Sequence, residues 1–139
     1  MKSITNYLLK FALVATVLSI FFRYFLSYGI DNKSTFTIIL SATLYGVGMF
    51  ALGWHFGKKE WNYLPLYDVG FRFHFTTYLI HNLISELWFL FGYNSHYERV
   101  NIVHTTAIIW GVFICFHFIL FLKARKSTIN NLDKSDLFE

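Results

Sequence analysis

The chain has 139 residues, of which 55% are hydrophobic, 22% aromatic and 14% charged, with a net charge of +4. Soluble domains are roughly one-quarter charged, so this composition argues against an ordinary water-soluble globule. The positive charge needs no nucleic acid to explain it, because the cations flank apolar runs and do not gather into a groove.

In chain order, four apolar runs stand out: Leu8–Leu26, Phe36–Phe56, Phe71–Phe91 and Ile102–Leu122. Each is close to the ~20 residues that carry a helix across ~30 Å of hydrocarbon. The predicted fold is therefore all-α: a polytopic integral membrane protein with four transmembrane helices in a compact bundle. Ser27 to Gly29 offers a passable signal-peptide cleavage site, but Arg23 and the length of the first run favour an uncleaved helix. Turns are expected over Gly29–Ser34, Lys58–Gly70 and Gly92–Asn101. Pro65 breaks the helix in the middle loop, and Trp61, Tyr63 and Tyr67 suit the headgroup layer. The chain then divides into residues 1–60 (helices one and two), 61–126 (a second hairpin) and 127–139 (a mobile cytoplasmic tail).

Basic residues orient the helices. Lys2, Lys10, Lys58, Lys59, Arg72, Lys123, Arg125, Lys126 and Lys134 fall on one side, and Arg23, Lys33 and Arg99 toward the other. The expected address is the inner, cytoplasmic membrane, with both termini in the cytoplasm. Cys115 has no partner in the chain, which removes intrachain disulfides and cysteine zinc sites. No HExxH, repeated HxxxH box, phosphate-binding glycine loop or CxxC is present, and nothing activates Ser41 or Ser85 as nucleophiles.

Spacing at ~100° per residue sorts the helix faces. On the third helix His74, Tyr78, His81, Ser85 and Gly92 form a stripe, flanked by Asn82 and Glu86 on one side and Thr77 on the other. On the fourth, His104, Ala107, Gly111 and Cys115 form a small-residue stripe for close packing; Thr106, Trp110, Phe113 and His117 lie opposite. The second helix carries Gly46, Gly53 and Gly57 on one face and Ser41, Tyr45, Gly48 and His55 on another. Two such faces imply more neighbours than one bundle supplies, hence a homo-oligomer.

The run from Gly70 to Asn82 reads GFRFHFTTYLIHN, spaced G-F-x-x-H-x-x-x-Y-x-x-x-N, and Trp110 to His117 reads WGVFICFH. Together they resemble the bacterial two-transmembrane-helix (2TM) domain family over about 68–126. The resemblance implies a helical hairpin and two marked histidines, His74 and His117, in domains that occur alone or fused to signalling modules. The chain departs from the family pattern at Phe113, where members carry glycine. The Tyr45–Gly48 segment faintly echoes Trp110–Val112, as a degenerate repeat would.

Imidazole inside hydrocarbon needs a partner. His74 and His117, at similar depth, could clamp a divalent metal or a haem iron, with His55 as a third member. The simpler alternative is that each ring bonds Tyr78, a backbone carbonyl or interfacial water. The opposed face assigned to His117 points to a meeting across a subunit boundary. Arg23 and Glu86, at matching depth, are expected to pair as an interhelical clasp. In a functional version Glu86 carries protons or cations, with His81 and His104 as relays. His96, Glu98 and Arg99 are placed in an outer aqueous loop without chemistry. The leading expectation is a non-enzymatic sensory, effector or scaffold component, homo-oligomeric, with a possible protein partner at the cytoplasmic face. The alternatives are a small channel or proton-coupled transporter using Arg23, His81 and Glu86, and a haem or metal protein using His74 and His117.

Overall fold

The computed structural model describes residues 5–62 and 64–130. It contains four helices: α1 (Asn6–Asp31), α2 (Thr35–Glu60), α3 (Leu66–Leu90) and α4 (Val100–Asn130). Each coincides with one of the apolar runs and extends past it, except that α3 stops at Leu90, one residue short of the end of its run. Lys2, Tyr63, Lys134 and the tail from Asn131 lie outside the described residues; Ser127–Asn130, assigned to that tail, continue α4.

Local chemistry sets the ends. Thr5 caps α1 by accepting from the Leu8 amide at 3.1 Å, and Ser34 caps α2 through the Thr37 amide at 3.3 Å. Pro65 stands at the cap position of α3, where its missing amide costs nothing. At the other end of α3, Gly92 has φ +70°, a left-handed turn that suits glycine. The Tyr93 amide then closes onto the Trp88 carbonyl at 3.0 Å.

α1 packs against both α2 and α3, while α4 rests on α3 alone. α2 also touches α3, so α1, α2 and α3 converge on one another. The expected compact bundle is opened only on the α4 side, where α3 stands between α4 and the other two helices. One apolar cluster, Phe11, Ala15, Val69 and Phe73, joins the first and second halves of the chain. α1 and α2 approach so closely that a Cβ on Gly48 would stand 2.9 Å from Leu18 Cδ2, and one on Gly29 3.3 Å from the Ile38 amide nitrogen. Gly46 and Gly53, expected as packing positions, face open space with nothing within 4 Å. Gly57 does pack, against Val69 at 3.6 Å.

Polarity is inverted relative to a soluble domain. Among the described residues, the buried set holds Ser19, Arg23, Ser27, Glu60, Ser85 and Ser95, whereas Phe36, Phe50, Ile108 and Phe113 are 69–75% exposed. Three helices are long and apolar enough to cross a membrane: α1, α2 and the stretch Val100–Ser127 of α4. α3 has the length, at 25 residues, but Asp68, Arg72 and Glu86 together with its histidines lower its apolar character.

Candidate functional site

The buried face of α1 is a ladder with a rung every fourth residue, Phe11, Ala15, Ser19, Arg23 and Ser27, because residues at i and i+4 stack on one side of a helix. Its polar upper rungs organise the interior. Arg23 Nη2 donates to Glu98 Oε2 at 2.6 Å, with both side chains almost fully buried (5% and 6% exposed). This corrects the expected Arg23–Glu86 pairing. The loop between α3 and α4 folds back over the end of α1 and delivers Glu98 to a depth that its place in an outer loop did not imply.

The carboxylate is well solvated by protein. Glu98 Oε1 accepts from the Ser27 hydroxyl at 2.5 Å and the Ser95 amide at 3.3 Å. Ser27 in turn accepts from Trp88 Nε1 at 3.0 Å, and the Ser95 hydroxyl donates to Asp31. Arg23 also lies over the Phe89 ring, 5.5 Å from its centre. Such a pair holds its charges out of water because its lone pairs have partners. Within the pair, Arg23 Nε has no hydrogen-bond partner among the described residues, and elsewhere Glu60 Oε2 is in the same position.

Glu86 instead meets His104 Nε2 at 3.0 Å, on a half-exposed edge between α3 and α4. The proposed relay is therefore split. His81 Nδ1 bonds the Tyr45 hydroxyl at 3.1 Å, and Tyr45 bonds Ser19 at 3.1 Å, which leaves His81 on the α1–α2 side of α3, engaged with neither Glu86 nor His104. Phe22 stacks on Tyr45 at 4.5 Å and seals this short chain from the side.

His74 and His117 come together within one chain, Nδ1 to Nδ1 at 3.0 Å, so no subunit boundary is needed. The expected α4 face is right at Ala107 and Gly111 and misplaced at Cys115, Trp110 and His117. Tyr78 donates to the Ala107 carbonyl at 3.2 Å, its ring meets Trp110 edge-on, and Ile114 is buried. The contact stripe therefore runs through Ala107, Trp110, Gly111, Ile114 and His117, and leaves Cys115 exposed.

The histidine pair is a poor match for a haem iron, and for a divalent metal it supplies only two ligands among the described residues. Two trans axial imidazoles on one iron stand about 4 Å apart, twice a ~2.0 Å metal–nitrogen bond, and these nitrogens are at 3.0 Å. No third histidine, cysteine or carboxylate joins them among the described residues. His55 bonds Lys59 Nζ at 3.0 Å on its own helix. The geometry is that of one N–H donating to the other ring, a clasp between α3 and α4.

Glu60 is a further residue that sequence reasoning passed over. It is 1% exposed, and its Oε1 accepts from the Leu8 amide at 3.2 Å and from the Thr5 hydroxyl. A carboxylate there neutralises the positive end of the α1 dipole and ties the C-terminus of α2 to the N-terminus of α1.

Gly111 tests the α3–α4 contact. A Cβ there would stand 3.1 Å from the Tyr78 hydroxyl oxygen, so Gly111→Leu is expected to displace Tyr78 and part the hairpin, at a cost of about 1–3 kcal/mol. Gly46→Leu, facing open space, is expected to change melting far less. Thermal melts of both variants in mild detergent check this.

Fold and interior together define an all-α, four-helix protein with many exposed apolar side chains and an interior that sets one apolar cluster beside buried polar and ion-paired groups. No family model, curated protein or solved structure matches the chain.

Proposed function

We propose that the chain is an integral protein of the cytoplasmic membrane that crosses it four times, keeps both termini in the cytoplasm, and acts through its helices as a non-enzymatic sensory or scaffold component. The observation that carries this reading is the Arg23–Glu98 pair, enclosed by hydrogen bonds beneath an apolar surface. An ion pair placed that way suits a lipid solvent, where every buried polar group must find a protein partner.

α3 fits the same reading despite its polarity, because its polar groups are matched: Asp68 with Arg72 at 2.9 Å, His74 with His117, His81 with Tyr45, and Glu86 with His104. The basic residues Lys10, Lys58, Lys59 and Arg72 lie toward one end, in keeping with a cytoplasmic boundary there. The open faces of α4 and the uncovered Gly46 favour a homo-oligomer in which a second copy supplies the missing neighbour. The 2TM resemblance agrees with such a role.

Reporter fusions at each terminus and in the loop after α1, combined with purification in mild detergent, test the reading. Expected are cytoplasmic signals at both ends, a periplasmic signal from the α1–α2 loop, and a colourless oligomer that leaks no protons when reconstituted. Termini on opposite faces, a Soret band, or proton flux abolished by Glu86→Gln would overturn it.

A further inference from the structure

α2 and α3 diverge on the side away from the Arg23 pair, and the gap between them is a groove of about 380 Å³ floored by Phe11. That volume lies within the ~300–1,000 Å³ range of small-molecule sites. Its walls are Met49, Gly53 and Gly57 on one side and Val69, Phe73 and Thr77 on the other. No protein neighbour uses the room that Gly53 leaves, since a Cβ there meets nothing within 4 Å.

The groove opens at Lys58, Trp54 and Trp61 into a wider, more polar mouth that adds His55, Lys59 and Asn62. Trp54 and Trp61 pack edge to face with centroids 5.6 Å apart, an arrangement at home in the headgroup layer. No carboxylate among the described residues compensates the charge of the mouth. Glu60 is turned away onto the start of α1, Asp68 is held by Arg72, and Lys58 has no acidic partner among the described residues. Among the described residues, Lys59 bonds Nε2 of His55 and lies over the Tyr7 and Phe56 rings.

We infer that this groove is a binding site for an anionic glycerophospholipid of the cytoplasmic leaflet. One acyl chain lies along Gly53, Gly57 and Phe73, and the phosphate stands between Lys58 and Lys59. The inference rests on the membrane reading above and adds to it the ligand class. Three features select this occupant: an apolar slot running inward from the boundary, an aromatic rim at its mouth, and two cations that no carboxylate among the described residues faces. Cations next to the inner leaflet attract anionic headgroups, and the apolar slot accepts a chain in the orientation it already has in the leaflet.

The test uses the full chain and two kinds of vesicle, phosphatidylcholine alone and phosphatidylcholine with one-fifth phosphatidylglycerol. Flotation with the vesicles reports membrane insertion by itself. Native mass spectrometry after extraction in mild detergent then counts retained lipids. The expected result is one phosphatidylglycerol per chain, retained about tenfold over phosphatidylcholine. Lys58→Gln with Lys59→Gln is expected to erase that preference, and Gly53→Leu, which has space for its side chain, to abolish retention of either lipid. A chain that floats but retains both lipids equally, or retains phosphatidylglycerol undiminished in Gly53→Leu, overturns the site and leaves the membrane reading standing. A chain that does not float overturns both.

Discussion

Replacing Arg23 by alanine is expected to lower stability by about 3–5 kcal/mol, the range for breaking one partner out of a buried ion pair. The cost does not come from the lost attraction alone. Glu98 would remain enclosed by Ser27 and Ser95 with a charge that nothing balances, and the loop between α3 and α4 would have to lift to let it reach water. Glu98→Ala is expected to cost a similar amount, because it strands the guanidinium of Arg23 instead. The double replacement by leucine should recover much of the loss, since an apolar pair of similar volume is often as stable as the ions it replaces. Glu86→Gln is expected to cost only about 0.6 kcal/mol, the average for a polar contact in a membrane bundle, as its pair with His104 is half-exposed. Unfolding in a graded detergent mixture measures all four. Equal losses at Glu86 and Glu98 would contradict the assigned pairing.

Phe11→Ala is the second large effect. Phe11 is 1% exposed, lies 4.7 Å from the Phe73 ring and 6.5 Å from that of Phe56, and is where α1, α2 and α3 converge. In a soluble core the loss would be about 3–5 kcal/mol. Lipid is as apolar as the side chain, so the transfer part largely vanishes and the lost contacts dominate. The expected cost is then roughly 2 kcal/mol, measured by the same unfolding assay. Phe11→Leu, which keeps most of the contacts, should fall below half of it. A loss equal to the soluble-core value would mean that water, not lipid, fills the unfolded reference state.

The helices were legible because an apolar run about 20 residues long admits few other structures. Their partners were harder to read. The ladder Ala15, Ser19, Arg23, Ser27 stands in the sequence at a spacing of four, yet depth-matching led from Arg23 to Glu86. Glu98 was assigned to an outer aqueous loop because a loop residue's depth depends on how the loop folds, and this loop, leaving α3 through the left-handed turn at Gly92, brings Glu98 back onto Arg23. Glu60 was counted with the cytoplasmic loop, although its burial follows from the tight join between the ends of α1 and α2. On α4 the small-residue stripe was taken as the contact face. Ala107 and Gly111 of that stripe do meet α3, but the face continues through Trp110 and His117 and not Cys115, because these two find Tyr78, His81 and His74 across the hairpin. Small residues mark close approach only where a partner helix faces them, and at Gly46 and Gly53 none does.

The central claim, that lipid and not water surrounds these helices, is tested most directly at Cys115. The thiol is exposed on the outer face of α4, between Phe113 and Phe116, which are 69% and 66% exposed. In intact vesicles a charged, membrane-impermeant maleimide is expected to leave it unmodified, with full reaction only after the chain is unfolded in dodecyl sulfate. Rapid labelling of Cys115 in detergent-free buffer by a correctly folded chain would contradict the account.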